Sequence, residues 1–322
     1  MGTPRNPRKG YFEAQMTHYY VILDRGTEKY LHKSTLDIVH TKMLTLDIGN
    51  AGSSAGPTPE LFFSPCPTEF LKSHPIDSKD QGTVRILGFV KGLPHLLANV
   101  PASDLLRRAS LVCSRVNAVY SMCRRVEGAE GASLMKLSGW ARAHHKGICC
   151  PDGEWKLECA FRRNDAEENP HSMIMLVSGF QGDSSRLLRG ELLAIIQVMT
   201  LYLGNNIQEK NNIFPVMVFS FMGAQARILQ AHFNDRGLSV YTSQLYGFST
   251  SRKSEASIER LIQYMCSKPI GATFSNSPFN RSETWRREHV VPLPPLDVYE
   301  RTANRMIKLH WEQAAEDTDV KS

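Results

Sequence analysis

Acidic and basic residues alternate in a short stretch near the middle of the chain, where their types and spacing could support metal-dependent hydrolysis. The stretch contains Asp152, Glu154, Lys156 and Glu158. Carboxylates are the ligands that Mg²⁺ prefers, and a neighbouring lysine can position the attacking water. Side chains two residues apart on a strand share one face. Glu154 and Lys156 would therefore point the same way, and Glu158 would continue that face.

The local sequence also permits a purely structural interpretation of these charges. Pro151-Asp152-Gly153 separates two runs, 146–150 and 154–161, that are typical of strands. An Asp-Gly pair between such runs favours a β-hairpin. A surface hairpin with alternating charges accounts for the same residues, so the sequence leaves both interpretations open.

A further carboxylate, Glu191, lies within the predicted helix 187–204, LLRGELLAIIQVMTLYLG. On a helical wheel it falls among apolar residues such as Leu188 and Ile195. A carboxylate on an apolar stripe should have a charged or hydrogen-bonding partner. Alternatively, its place in the first turn lets the helix dipole and the free N–H groups stabilise it. If the chain is a hydrolase, Glu191 joins Asp152, Glu154 and Lys156 as a candidate for the site.

A long helix is predicted from Ser103, as its N-cap, to about Arg125. Its apolar residues recur every three or four positions, which indicates one buried stripe. Four arginines project to another side: Arg107, Arg108, Arg115 and Arg125. They form either a solvated basic face or a ridge that faces an anion.

The remaining elements predict an α/β protein. Strands are expected at 19–24, 84–90, 172–180, 215–222 and 238–246. A helix is expected at 224–234, with Gly237 as its C-terminal cap. Strand 215–222, helix 224–234 and strand 238–246 would form a βαβ unit. We therefore expect a mixed sheet with helices on its faces, containing a βαβ unit, with a C-terminal helical arm.

Three regions follow from composition along the chain. Residues 1–60 are predicted to be an N-terminal extension ending in a flexible linker, GNAGSSAGPTPE. The extension is too short to bury its own core, so it either pairs onto the main sheet or stays loosely attached. Residues 61–270 form the main domain. Residues 271–322 comprise an irregular segment and the C-terminal helix of the arm.

Composition narrows the function classes. The 322 residues are 42% hydrophobic, carry a net charge of +6 and contain seven cysteines without a C-x2-C pair. Reduced thiols are therefore expected, with no cofactor and no zinc site. No run is long and apolar enough for a membrane span. These features favour an intracellular protein, cytoplasmic or nuclear, and its basic charge permits a protein partner or an acidic or nucleic-acid ligand.

The predicted order from 104 to 222 is helix, three strands, helix, strand, and it resembles the αβββαβ order of PD-(D/E)xK nucleases. That resemblance implies Mg²⁺ held near Asp152, Glu154 and Glu191, with Lys156 positioning water. Two features depart from the family pattern. The Pro-Asp and Glu-x-Lys pairs abut across a turn, and the third strand, 172–180, carries no charge.

A second resemblance concerns the segments RGELLAIIQVM, PVMVFSFMGAQARILQAHF and LSVYTSQLYGF. Together they resemble a recurring family of uncharacterised proteins from filamentous fungi, over about residues 185–270. The resemblance implies an intracellular fungal origin and no known activity. From all these observations we expect a non-catalytic binding or interaction protein, with a divergent metal-dependent nuclease of the PD-(D/E)xK type as the alternative.

Overall fold

One mixed β-sheet, with helices on both faces, dominates the protein. The structure is a computed structural model and describes residues 7–47, 60–126, 129–143, 148, 153–204 and 210–274. The helices are α1 (Pro7–Arg25), α2 (Lys33–Ile38), α3 (Thr68–Ser73), α4 (Gln81–Lys91), α5 (Leu93–Ala98), α6 (Leu105–Tyr120), α7 (Leu134–Leu137), α8 (Arg189–Gly204) and α9 (Ser251–Met265). The strands are β1 (Thr41–Thr45), β2 (Phe63–Ser64), β3 (Cys123–Val126), β4 (Ala129–Ser133), β5 (Trp140–Ala143), β6 (Trp155–Arg163), β7 (Ser172–Ser178), β8 (Val216–Met222), β9 (Gln225–Asn234), β10 (Gly237–Thr242), β11 (Tyr246–Gly247) and β12 (Lys268–Pro269).

Within the described residues, eight strands form the main sheet. Its order is β1-β10-β9-β8-β7-β6-β5, with β11 also pairing on β9. β7 and β8 are parallel, as are β1 and β10, and the other neighbours are antiparallel. Along the chain α6 precedes β5, β6 and β7, with β3, β4 and α7 between α6 and β5, and α8 then leads to β8. The strands of the main sheet thus follow the predicted αβββαβ order, but β5 lies at 140–143, before the predicted first strand 146–150.

The main sheet contains a βαβ unit, but the unit predicted at 215–246 is wrong. The observed unit consists of β7, α8 and β8, because α8 connects two parallel neighbours. The predicted helix at 224–234 is wrong, since these residues form β9, which pairs with β8 and β10 in an antiparallel meander. Gly237 does not cap a helix but ends the β9–β10 turn, with φ +104.

Two cores lie on opposite faces of the sheet, which explains the near-continuous burial of its central strands. Met217 and Phe219 of β8 face the core that includes α6 and α9, while Val216 and Val218 face α1 and α8. All seven residues of β7 and of β8 are buried. Strands that are buried on both faces have uniformly apolar sequences instead of an alternating pattern.

The N-terminal segment belongs to the second core. The strand predicted at 19–24 is wrong, because these residues lie inside α1. Phe12, Met16, Tyr19 and Leu23 recur at helical spacing and pack against α8. β1 extends the sheet by pairing with β10. Of the two predicted arrangements for this segment, pairing onto the main sheet is the one observed.

Two helices differ from their predicted form. The strand predicted at 84–90 is wrong, because residues 81–91 form α4, whose N-cap Asp80 accepts a hydrogen bond from the Thr83 N–H at 2.6 Å. The flanking glycines had suggested strand ends. α6 is capped by Asp104 instead of Ser103 and ends at Tyr120, so the predicted extension to Arg125 is also wrong.

Some predictions fall partly outside the described residues. β6 pairs with β5 at residues 140–143, and the predicted hairpin partner at 146–150 lies largely outside the described ranges, as does Asp152. The same holds for the linker between 48 and 59 and for the arm from residue 275. Within the described part of the chain, no helix is both long and apolar enough to cross a bilayer.

Candidate functional site

Glu191 is one half of a buried ion pair that connects α8 to β9. The Arg227 guanidinium donates to both carboxylate oxygens, through Nε at 2.8 Å and through Nη2. Its remaining hydrogen bonds go to the carbonyls of Asp183 at 2.8 Å and Arg186 at 3.0 Å. Arg227 is 1% exposed and Glu191 is 0% exposed. A buried charge needs such a set of partners to remain ionised.

The position of Glu191 in the first turn of α8 is confirmed. Its Oε2 accepts the backbone N–H of Leu188 at 2.8 Å, so the carboxylate also caps the start of the helix. The sequence indicated that Glu191 needs a partner, but it did not reveal Arg227. The helix predicted over 224–234 would have placed that arginine away from the sheet.

The two residues before Glu191 also connect elements of the fold. Arg189 donates through Nη2 to Glu154 at 3.1 Å and through Nη1 to the carbonyl of Leu23 at 3.3 Å, near the end of α1. Gly190 lies directly against the Trp155 ring, where an added Cβ would be 2.4 Å from Cδ1. The Arg-Gly-Glu start of α8 therefore joins α1, β6 and β9.

The other candidates for a metal site have separate partners. Lys156 Nζ pairs with Glu158 Oε1 at 2.6 Å, and Ser110 of α6 donates to the same oxygen at 3.2 Å. Glu154 pairs with Arg189 and Glu191 with Arg227. Glu154, Glu158 and Glu191, the described candidate carboxylates, thus each pair with a nearby cation.

Metal binding receives no geometric support from this arrangement. In the ranges that the structure describes, no group of three or more His, Cys, Asp or Glu side chains is placed to hold a metal ion. β7, where the nuclease pattern requires an acidic residue and a lysine, is uncharged and fully buried. Asp152 lies outside the described residues.

The four arginines do not form one ridge. Arg125 lies on β3 and pairs with Asp77, with Nε 3.6 Å from Oδ1. Arg108 donates to the carbonyl of Val100 at 3.3 Å. Arg115 lies over the Phe89 ring of α4, 5.0 Å from its centroid, while Arg107 is exposed. Three of the four arginine side chains thus contact other groups of the protein, and Arg115 makes its contact with α4.

The outward side of α4 combines apolar and cationic groups. Val84 is 50% exposed and Phe89 is 43% exposed, both high values for large apolar side chains. The Arg85 guanidinium lies 5.7 Å from the Phe89 centroid. Gly88 is exposed, and a Cβ placed there would meet nothing within 4 Å. We call these four residues, together with Arg115, the α4 surface.

The helices around this surface are strongly basic. Residues 81–120 contain five Lys or Arg residues and a single acidic residue, Asp104. Among the described carboxylates, none forms an ion pair with Arg85, Lys91 or Arg115. The α4 surface therefore combines exposed apolar side chains with guanidinium groups, which suits an acidic ligand. Sequence analysis missed it because it predicted a strand at 84–90.

His171 is a buried histidine of the core. His171 is 2% exposed and packs against Phe62 and Phe63. One ring nitrogen, Nε2, lies 3.2 Å from the carbonyl of Ile270. Burial lowers the pKa of His171 to about 4. It is thus a neutral core residue at physiological pH, and no acidic side chain bonds to it.

Comparisons with known proteins identify no relative. No protein-family model, no curated protein and no solved structure matches the chain.

Proposed function

We propose that this protein is a non-catalytic interaction protein that binds an acidic protein segment on the α4 surface. The observation that carries the proposal is the exposed Phe89 ring with the guanidinium groups of Arg85 and Arg115 beside it, neither of which forms an ion pair with a carboxylate of the described ranges. Binding sites on proteins commonly have an apolar or aromatic centre and a polar rim, and Arg and aromatic residues supply most of the binding energy.

Gly88 is a second observation in favour of binding. A glycine inside a helix costs about 1 kcal/mol of stability relative to alanine. No neighbouring group requires it, because the space above its Cα is open. Its absent side chain leaves the helix backbone uncovered at this exposed position. A partner could approach the helix backbone there more closely than at any residue with a side chain.

Binding of a defined probe tests the proposal. The probe is a fluorescein-labelled peptide with one tryptophan and four carboxylates, measured by anisotropy at low and physiological salt. Arg85→Glu should weaken binding about tenfold, equivalent to about 1.4 kcal/mol, because it places like charges together. Phe89→Ala should also weaken binding. The control Arg236→Glu changes the net charge equally in the exposed β9–β10 turn.

The outcomes separate a specific surface from general charge attraction. Equal losses for Arg85→Glu and Arg236→Glu would contradict a site on α4. A single-stranded DNA of the same net charge is tested in parallel. If it binds more tightly than the peptide and depends on Arg85, the partner is a nucleic acid instead of a protein segment.

A nuclease is the second candidate, and one observation favours it: the main sheet has the αβββαβ order of the PD-(D/E)xK nucleases. The ion pairs of Glu154, Lys156 and Glu191 weigh against it. A screen with Mg²⁺ and several DNA and RNA substrates tests this candidate. Mg²⁺-dependent cleavage that disappears in Glu154→Ala would establish it, and cleavage that persists in this variant would point to a contaminant.

We also propose that the protein acts inside the cell, in the cytoplasm or nucleus. The support is that the five cysteines in the described residues are all free thiols. Unpaired cysteines are typical of reducing compartments.

A further inference from the structure

The α4 surface has a complementary sequence within the same chain. Trp311 is followed by Glu312, Glu316, Asp317 and Asp319, and no Lys or Arg occurs between 309 and 320. This segment, 311–319, joins one large aromatic side chain to four negative charges. The α4 surface offers the opposite: exposed Val84 and Phe89, with the guanidinium groups of Arg85 and Arg115 against the Phe89 ring. The two therefore match in both charge and apolar content.

The rest of the chain permits this contact. Thirty-six residues, 275–310, separate the last described residue from Trp311. A chain of that length can span up to about 120 Å. A compact domain of roughly 250 residues has a radius of gyration of about 18 Å. The tether is thus long enough to reach α4 from Phe274 without requiring a particular path.

From this complementarity we propose that segment 311–319 occupies the α4 surface and competes with the external acidic partner. The proposal rests on the interaction function proposed above, because both ligands use the same surface. A covalent tether of this length would hold its segment at an effective concentration of about 1 mM. A cis affinity of only about 0.1 mM would then weaken apparent binding of an external partner about tenfold.

The acidic peptide probe measures this competition in the full chain. In the neutral-tail variant all four carboxylates of the segment become amides: Glu312→Gln, Glu316→Gln, Asp317→Asn and Asp319→Asn. This variant should bind the probe about tenfold more tightly than the wild type. Adding Arg85→Glu to it should remove the gain, whereas adding Arg236→Glu should not.

A cross-link provides a direct readout of the same contact. Lys91 lies at the end of α4 with an exposed side chain. A carbodiimide reagent joins a lysine amine to a carboxylate only when they are adjacent, so dilute wild-type protein should give an intramolecular link from Lys91 to segment 311–319. Arg85→Glu leaves all tail carboxylates intact and should lower the yield of that link, while Arg236→Glu should leave it unchanged.

The two proposals fail in different ways. If the wild type and the neutral-tail variant bind the probe equally, both depend on Arg85, and no link to Lys91 forms, then the cis contact is wrong and the interaction function stands. If neither protein binds the probe, the interaction function is wrong and the competition falls with it. A link that is insensitive to Arg85→Glu would place the segment elsewhere on the protein.

Discussion

Removal of Arg227 should destabilise the protein strongly, and removal of the negative charge on its partner should then restore part of the loss. The Arg227 guanidinium makes four hydrogen bonds, two to Glu191 and two to backbone carbonyls. In Arg227→Met the Glu191 carboxylate would keep only the Leu188 N–H as a partner. Most of the lost stability comes from leaving this carboxylate buried with so few partners, and less of it comes from the lost contacts themselves.

The expected loss of stability in Arg227→Met follows from the burial of the pair. Both side chains are essentially inaccessible to water, so solvent does not screen the remaining charge. Breaking a buried pair by removing one partner costs about 3–5 kcal/mol. Typical domains have a total stability of about 5–15 kcal/mol, so Arg227→Met should approach the limit of folding. In Arg227→Met/Glu191→Gln, the amide still accepts from Leu188 and carries no charge. This double variant should be about 2 kcal/mol more stable than Arg227→Met alone.

Equilibrium unfolding in urea, followed by circular dichroism, provides the test. The m-value should stay constant across the variants so that midpoints can be compared. Arg236→Met, at an exposed arginine, serves as the control and should change the stability by less than about 0.5 kcal/mol. A loss below about 1 kcal/mol for Arg227→Met would refute the burial argument. A double variant that is less stable than Arg227→Met would show that the charge of Glu191 is not the source of the cost.

Two further variants test the packing around this junction and the buried histidine. In Gly190→Ala the new Cβ would overlap the Trp155 ring, so we expect a loss of about 1–3 kcal/mol in urea unfolding, whereas Gly88→Ala should be neutral or stabilising. Burial lowers the pKa of His171 from 6.5 to about 4. As the pH falls, the unfolded state therefore binds a proton at a higher pH than the folded state does. The free energy of unfolding should then decrease below pH 6.5, by about 2 kcal/mol at pH 5. His171→Gln should remove that part of the pH dependence and the exposed His95→Gln should retain it; identical profiles for the two variants would contradict the assignment to His171.

Sequence patterns predicted the elements whose burial is uniform or clearly periodic. α8, β7 and β8 are long apolar stretches, and they form a βαβ unit in the main sheet. The apolar residues of α9, Ile258, Leu261, Ile262 and Met265, recur at helical spacing and are likewise buried. Glu191 was identified as unusual for a sound physical reason: a charge on an apolar stripe must be paired.

The errors share a cause, since local patterns cannot show what a residue meets across the sheet. β9 contains Ala, Leu, Gln and Arg, which favour helices, and its apolar residues have helical spacing. Cores on both faces bury eight of its ten residues, so the alternation that would indicate a strand is absent. Arg227, Gln230 and His232 become tolerable in that interior only through partners from distant parts of the chain. Tertiary contacts override propensity there.

Residues in the segments RGELLAIIQVM and PVMVFSFMGAQARILQAHF assemble the fold. In the first segment, Gly190 admits Trp155, and Glu191 pairs with Arg227 of the second. Gly223, at the end of S-x-MG, has φ +60, where an added Cβ would be 2.9 Å from Leu105. These residues are required for α8, β8 and β9 to pack, whatever the protein binds. The α4 surface lies outside these segments. The architecture therefore depends on these segments, while the binding that we propose depends on residues elsewhere in the chain.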